Sequence, residues 1–365
     1  MIKANPKVKA PTVADVAREA KVSKAQAARA LGGYGAVSED VSSRVILAAE
    51  KLGWRPNELA RSMTTGISNT LGVIVGDIEN PHFGLALRGI SDVARQAGYN
   101  VILSNSDEQV EIEKEAVRVM LEKRVDGIII APCSSWTRNN SHLAQILAEG
   151  RALTLFDRAI DDLNVEVISV DFTAVATEAT CDLLNHGHRR IAYVTSMPCG
   201  ALFHEPENRG LTPVAQRISG MKQAFKQASL PFLPELIKTD ATDDEAVRRI
   251  VSELFDNDMP PTAVIASDSL IAQNLLRVFA QRGLSIPDHL SFIMYDNFPW
   301  TEIVRPALSV ITQPVYEMGR EAAQRIIAQI RGTDAGTLSS FTPHYLSRGS
   351  VSKIGTVQSA VSRSG

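Results

Sequence analysis

Apolar positions along the chain follow two rhythms, and the change between them falls near residue 65. Before it, apolar residues recur at helical spacing in short stretches: Val13, Val16, Ala17 and Ala20, then Val41, Val45, Ile46, Ala49 and Leu52. That spacing gathers the side chains on one helix face. Thr12 is placed to cap the first helix, with Asp15 three residues on as the reciprocal acceptor. Ser23 and Gln26 repeat the arrangement before a second, alanine-rich helix over Lys24–Leu31. Lys21-Val22 form the turn between these two, and a third helix begins after Ser38 and stops at Gly53. Two short helices around a tight turn suit DNA docking and a protein-docking bundle equally well.

From Leu71 onward the apolar runs become strand-sized and alternate with amphipathic stretches. Leu71–Val75, Val101–Asn105, Gly127–Ala131, Leu153–Phe156, Val167–Val170, Ile191–Thr195, Ala263–Ala266, Leu290–Tyr295 and Ser309–Thr312 read as strands. Leu85–Ala97, Glu111–Lys123, Thr177–His186, Val214–Ala228 and Leu270–Arg282 read as helices. Strand–helix alternation predicts parallel sheets with helices on both faces. About a dozen such elements exceed one sheet, so two similar α/β lobes are expected.

Composition narrows the function classes. With 44% hydrophobic and 22% charged residues the 365-residue chain is that of an ordinary globular protein. No apolar run approaches membrane-helix length, and Met1–Thr12 is polar, so neither a membrane span nor an export signal is expected and the predicted location is the cytoplasm. Cys133, Cys181 and Cys199 are scattered without metal-ligand spacing and read as reduced thiols, with no metal site and no cofactor implied. The net charge of −3 hides an asymmetry: residues 1–65 hold 11 Lys or Arg against 6 Asp or Glu, a balance of +5 on a remainder of −8. A basic head on an acidic body suggests that only the head meets a polyanion.

Enzyme signatures are missing from the sequence. There is no Walker loop, no His-Glu-x-x-His and no Gly-x-Ser-x-Gly elbow, and Gly33-Tyr34-Gly35 follows a helix rather than a strand. Open parallel sheets bind ligands at the carboxyl ends of their strands. The polar residues there are Asp77 and Asn80, Asp157-Arg158, Asp171, Ser267-Asp268 and Asp296-Asn297. Each of these residue types also caps helices and forms turns; their shared placement is what favours a ligand site.

The residues carry a resemblance as well. Thr12-Val13-Ala14-Asp15-Val16-Ala17-Arg18-Glu19-Ala20-Lys21-Val22-Ser23, then Arg29-Ala30-Leu31, Val37-Ser38 and Leu52-Gly53-Trp54-Arg55-Pro56-Asn57, closely resemble the headpiece of the lac repressor (LacI/GalR) family. The core resembles the same family at Asn80-Pro81-His82-Phe83, Gly187-His188-Arg189-Arg190-Ile191-Ala192 and Arg217-Ile218-Ser219-Gly220. It does so again at Gly283-Leu284-Ser285-Ile286-Pro287, Ser291-Phe292-Ile293-Met294-Tyr295-Asp296, Gln313-Pro314, Met318-Gly319 and Arg348-Gly349-Ser350. Any one of these motifs is weak; together they are specific.

The resemblance implies a fold: an all-α helix-turn-helix headpiece over 10–56, a hinge helix and linker over 57–67, and a core over 68–350. The core is two doubly wound parallel-sheet lobes of periplasmic-binding-protein type, the first about 68–168 plus 299–328 and the second about 169–298 plus 329–350. Residues 351–365, rich in Ser and without an apolar heptad, read as a disordered tail, which leaves a homodimer as the default assembly. It also implies a second helix in the major groove, with Lys24, Ala25 and Arg29 facing base edges and Ser23 and Gln26 toward phosphates, Thr12 being counted with the DNA contacts. Gln26-Ala27-Ala28 stands where commoner members carry Thr-Val-Ser. Asn57 opens the hinge helix, Ala60 lies on it, and Met63 takes the minor-groove wedge position usually held by leucine.

For the core the resemblance implies Arg217 and Asp296 as the opposed anchors of an effector. A guanidinium donates along a planar fork and a carboxylate accepts from vicinal hydroxyls, which suits a polyol. Asn80, Asp157, Ser267 and Asp268 complete the expected polar lining, Ser267 standing where many relatives have asparagine. Phe83, Phe298 and Trp300 are candidates to stack on a sugar's apolar face, and equally candidates for core packing. The Pro- and Gly-bearing stretch Ser196–Gln216 reads as a loop that could close over the site, with His204 or Arg209 reaching an acidic ligand. The expected function is a DNA-binding repressor whose operator affinity answers to a sugar or sugar acid. The alternatives are a co-repressor-dependent regulator sensing a purine-type or phosphorylated metabolite, and a sugar-binding protein with no regulatory role.

Overall fold

Capping chemistry shapes the N-terminal helices. In α1 (Val13–Ala20) the Thr12 hydroxyl accepts from Asp15 N–H at 3.3 Å while the Asp15 carboxylate accepts from Thr12 N–H at 2.9 Å. In α2 (Lys24–Gly32) Ser23 and Gln26 exchange the equivalent pair at 3.0 and 3.2 Å. Ser38 caps α3 (Glu39–Leu52), and Gly53 ends it in left-handed backbone. Each cap satisfies donors that the first helical turn leaves orphaned and contributes about 1 kcal/mol. The three helices enclose Val16, Ala17, Ala20, Ala27, Val45, Ala48 and Ala49, with Leu31 and Trp54 packed at the rim.

The computed structural model describes residues 11–32, 35–55, 66–134, 140–160, 163–197 and 213–354. The chain divides into two units, Met1–Ser68 and Asn69–Gly365. The expected hinge residues Asn57, Ala60 and Met63 lie outside the described residues, as do His204 and Arg209.

The second unit holds two sheets. The first has the order β2-β1-β3-β4-β5, all parallel, from β1 (Thr70–Val75), β2 (Asn100–Asn105), β3 (Gly127–Ile130), β4 (Ala152–Phe156) and β5 (Glu166–Ile168). The second has the order β11-β10-β9-β8-β6-β7, from β6 (Ile191–Val194), β7 (Ile237–Lys238), β8 (Ala263–Ala266), β9 (Ser291–Tyr295), β10 (Ser309–Thr312) and β11 (His344–Leu346). Among the described residues only the β10–β11 pair is antiparallel.

Alternation along each strand decides which helices it meets. Leu71, Val73 and Val75 point to the side of α4 (Pro81–Gln96) and α12 (Val315–Arg331), while Ile74 points to α5 (Val110–Glu122) and α6 (Ser141–Ala148). In the second sheet Tyr193, Ile265, Ile293 and Tyr295 face α7 (Thr173–Asn185) and α8 (Pro213–Gln227). Val194, Val264, Phe292 and Met294 face α9 (Asp244–Phe255) and α10 (Ser269–Gln281). Both faces being covered, the strands read as near-continuous apolar runs. Where α4 crosses α12 the backbones almost touch: a Cβ on Gly319 would come within 2.2 Å of the Ala86 carbonyl oxygen.

Three expectations are corrected. The first lobe does not regain residues 299–314: α11 (Trp300–Ile303) packs with the second lobe, and β10 pairs with β9 and β11. Val310 and Ile311 bury opposite faces in that sheet, so the chain returns to the first lobe only at α12. The stretch up to Gln216 is not loop throughout, because α8 already begins at Pro213. The tail does not begin at 351 either. Ser352 N–H donates to the Ser291 hydroxyl at 3.0 Å, and Ile354 N–H donates to the His186 carbonyl at 3.1 Å. Residues 355–365 lie outside the described residues.

Candidate functional sites

On the head, α2 exposes Lys24 and Ala25, with Ser23 exposed just ahead of it. Arg29 is half-buried and folds back along its own helix, its Nε donating to the Ala25 carbonyl at 3.2 Å. That bond leaves the two terminal nitrogens of the guanidinium for another partner. Ser23 and Gln26 spend one polar group each on their mutual cap, and Thr12 does the same with Asp15. What remains for a phosphate at the start of α2 is the Ser23 hydroxyl hydrogen, which the cap does not use, the exposed Lys24 ammonium, the Gln26 amide nitrogen and the orphan N–H groups of the first turn.

In the second unit the expected polar residues Asn80, Asp157, Ser267, Asp268 and Asp296 follow the carboxyl ends of strands in both sheets, while Arg217 lies on a helix. Asp296 follows β9 in left-handed backbone (φ 73°) and is only 5% exposed. Its Oδ1 accepts from Gln313 Nε2 at 3.0 Å. The same amide nitrogen lies 3.3 Å from His82 Nδ1, in the first turn of α4. At 3.8 Å His82 and Asp296 are beyond hydrogen-bond reach of each other, and they attract as charges when the ring is protonated. Gln313, on the segment by which the chain crosses back between lobes, thus ties a first-lobe helix to a second-lobe strand.

Burial alone would push the Asp296 carboxyl up; His82, Gln313 and Arg217 more than reverse this and hold it below the ordinary carboxylate range. His82 is the mirror case. Burial lowers its basicity, but Asp296 and then Asp157 raise it beyond the ordinary histidine value. A neutral ring accepts the second Gln313 amide hydrogen at Nδ1 and carries its own on Nε2; a protonated ring directs Nδ1–H at Asp296.

Arg217, 8% exposed, enters from α8. Its guanidinium packs against the rings of Phe172 and Tyr295, 4.2 and 4.0 Å from their centroids, and Nη1 donates to the Ser267 carbonyl at 2.7 Å. The two rings meet edge to face at 82°, so they wall the guanidinium on two adjoining sides and limit how its fork can turn. Four buried polar atoms around this centre have no hydrogen-bond partner among the described residues: Arg217 Nε, His82 Nε2, Gln313 Oε1 and the Tyr193 hydroxyl. Burial also pushes the Tyr193 phenol up to about 12, so it stays neutral.

Other expected residues are occupied locally. Asp268 caps α10, accepting from Leu270 and Ile271 N–H at 3.0 Å each and from the Ser267 hydroxyl at 2.6 Å. Burial raises its carboxyl above the ordinary range despite those bonds. Asn80 caps α4 through His82 N–H. Phe83 is 4% exposed and packs edge-on to His82 within the core, while Phe298 is half-buried and Trp300 packs against the second lobe's core. Asp157, like Asp296, sits in left-handed backbone, at φ 66°.

His82, Gln313, Phe172, Tyr295 and Tyr193 were not singled out from the sequence as site residues. His82 and Gln313 lie inside quoted motifs, and Gln313 directly follows a strand, which is a usable signal. The three aromatic residues carry none, because their apolar spacing is that of core. Among the described residues no cluster of His, Cys, Asp and Glu could hold a metal ion, and no helix is long and apolar enough to cross a membrane.

Comparison with known proteins bears on both units. Residues 12–57 match the profile of the bacterial regulatory proteins of the lacI family, and residues 181–351 match a periplasmic binding protein-like domain. Catabolite control protein A of Priestia megaterium is 33% identical over 85% of this chain and 90% of its own. The HTH-type transcriptional repressor CytR of Escherichia coli is 29% identical over 92% of this chain and 94% of its own. Among solved structures, the lac repressor dimer bound to operator and the anti-inducer ONPF superposes with a TM-score of 0.78 at 20% identity, covering 94% of this chain and all of that one.

Proposed function

The chain belongs to the lacI family of bacterial regulatory proteins, a DNA-binding repressor rather than an enzyme, and from that premise we propose that a sugar or sugar acid held between its two lobes sets its affinity for operator DNA. The observation that carries this reading is the set of unpartnered buried atoms around Asp296. Leaving a buried donor or acceptor unsatisfied costs about 1–3 kcal/mol each. Arg217 Nε and His82 Nε2 offer hydrogens, Gln313 Oε1 and Asp296 accept them, and a polyol supplies both roles from every hydroxyl.

The mechanism is linkage between two sites. The proposed DNA reader is α2, with Lys24 and Arg29 toward base edges, in a homodimer whose two heads meet two half-sites. A ligand on Asp296 competes with Gln313 and His82 for the carboxylate and changes the bond that joins the lobes. Such coupling typically amounts to ~1–3 kcal/mol, or roughly 5–150-fold in operator affinity.

Thermal unfolding against a panel of sugars, sugar acids, sugar phosphates and nucleobases tests the ligand site. A binder at 100 times its dissociation constant adds about 2.7 kcal/mol, which is visible as a raised midpoint. Repeating operator titrations with that binder then gives the sign: weakened DNA binding makes it an inducer, and tightened binding makes it a co-repressor. A panel without a sugar or sugar-acid hit removes the ligand assignment.

A further inference from the structure

Asp157 follows Phe156, whose ring centre lies 5.9 Å from that of His82, so it stands at the end of β4 beside the buried centre, and its charge acts on both His82 and Arg217. It stands in left-handed backbone, a conformation that most residues with a Cβ avoid and that Asp and Asn adopt more readily than the others. Its own N–H donates to Ile168 O at 2.8 Å, and Arg158 N–H donates to Phe156 O at 2.7 Å, which fixes the turn but not the carboxylate.

The next residue supplies a constraint. Arg158 grips Glu108 with both terminal nitrogens, at 2.6 and 2.8 Å, and Nη1 also donates to the Pro132 carbonyl at 2.9 Å. Its remaining edge, Nε, faces Asp157 Oδ2 at 3.7 Å. The pair therefore runs across the carboxyl end of the first sheet, from the turn after β4, over the chain leaving β3, to the turn after β2. A bidentate pair fixes the plane of the guanidinium, which a single contact does not.

Glu108 is itself constrained. It and Asp107 both have positive φ, 54° and 50°, and Glu108 N–H donates to Gly76 O at 3.0 Å. Its carboxylate lies so close over Gly76 that a Cβ there would come within 2.1 Å of Oε1. Two adjacent left-handed residues and a glycine cradle are a lot of local constraint for an ordinary surface ion pair.

We propose that the Glu108–Arg158 pair is a positioning clamp that holds the Asp157 carboxylate toward His82 and Arg217, so that the first lobe contributes a fixed negative charge to the effector site. The functional half of this rests on the ligand site proposed above; the structural half does not, and it has its own readout.

That readout is the protonation of His82, followed through its ring carbon–proton resonance in the full-length protein and assigned by its loss in His82→Gln. Besides Asp157, the charged or polar groups around the ring are Asp296, Arg217 and Gln313, and none of them is altered. Asp157→Asn, which tolerates the same backbone conformation, should lower the His82 titration midpoint. Glu108→Gln keeps the shape but breaks one arm of the grip, and should shift the midpoint the same way. Gly76→Ala removes no charge and only displaces Glu108, so a downward shift there reports geometry alone. In Glu108→Gln combined with Asp157→Asn the midpoint should equal that of Asp157→Asn by itself. Thermal midpoints of each variant show that the fold persists. The clamp is excluded if Asp157→Asn leaves His82 unchanged, if Gly76→Ala leaves it unchanged, or if the two substitutions add. No effector or operator is needed, so a failed sugar panel and a failed clamp are separate results.

Discussion

Arg217 shows how one side chain can be specified by its surroundings more than by its charge. Packed into the corner of Phe172 and Tyr295 and bonded through Nη1 to the Ser267 carbonyl, it leaves its Nε without a partner among the described residues and so available to a ligand. Lysine keeps the charge but has no plane to stack and no fork to divide between two acceptors. Arg217→Lys should therefore weaken effector binding by roughly 10–100-fold, the cost of a lost charge-assisted hydrogen bond of about 1.5–3 kcal/mol. Operator affinity in the absence of effector should stay near the parent's. Titration calorimetry with the panel hit, beside an operator titration, checks both; an unchanged effector affinity would take Arg217 out of the site.

Among elements, the segment after β11 depends on a histidine that must stay neutral. The ring of His188 lies between the Thr262 hydroxyl at 2.9 Å and the Ser352 carbonyl at 3.0 Å, and one neutral tautomer satisfies both. Burial brings its pKa down to about 4, against the Ser352 carbonyl's opposing pull. Between that value and the ordinary histidine value near 6.5 the unfolded chain binds a proton that the native ring refuses. Stability from this residue is therefore complete above about 6.5 and is lost as pH falls toward 4, by roughly 2–3 kcal/mol in all. Denaturant unfolding at several pH values should show the parent's advantage over His188→Gln shrinking across that window. A pH-independent difference would mean that the ring's titration is not linked to folding.

At the scale of the whole molecule, reading DNA and sensing a ligand fall to two units with separate cores. Replacing Arg29 with alanine removes a guanidinium from the head and leaves every residue of the proposed effector site unchanged. Specific operator binding should fall by roughly 5–150-fold, the equivalent of about 1–3 kcal/mol for one bidentate base contact, with the effector-induced rise in thermal midpoint retained. Loss of both would indicate misfolding instead. Linkage is reciprocal, so operator DNA must change effector affinity by the same factor by which effector changes operator affinity. Measuring both directions with the parent protein tests the coupling without any substitution.

The sequence by itself determined the local matter of this protein: three capped helices in the head, nine of the eleven strands among the described residues, and strand–helix alternation that admits two covered parallel sheets. Periodicity and turn chemistry act within a few residues, which is why they could be read. It did not reveal β7, two residues long, or β11, whose His344-Tyr345-Leu346 carries too little apolar pattern to stand out. Nor did it assign β10 to its sheet, because that depends on where the chain crosses between lobes. Arg217 and Asp296 were recognisable from motifs, but what surrounds them was not. His82 and Gln313 meet across 231 positions of sequence, and the rings that hold Arg217 look like core in any local window. Which buried polar atoms are left without partners is settled only after every distant pairing has formed, so the proposed ligand site belongs to the tertiary structure.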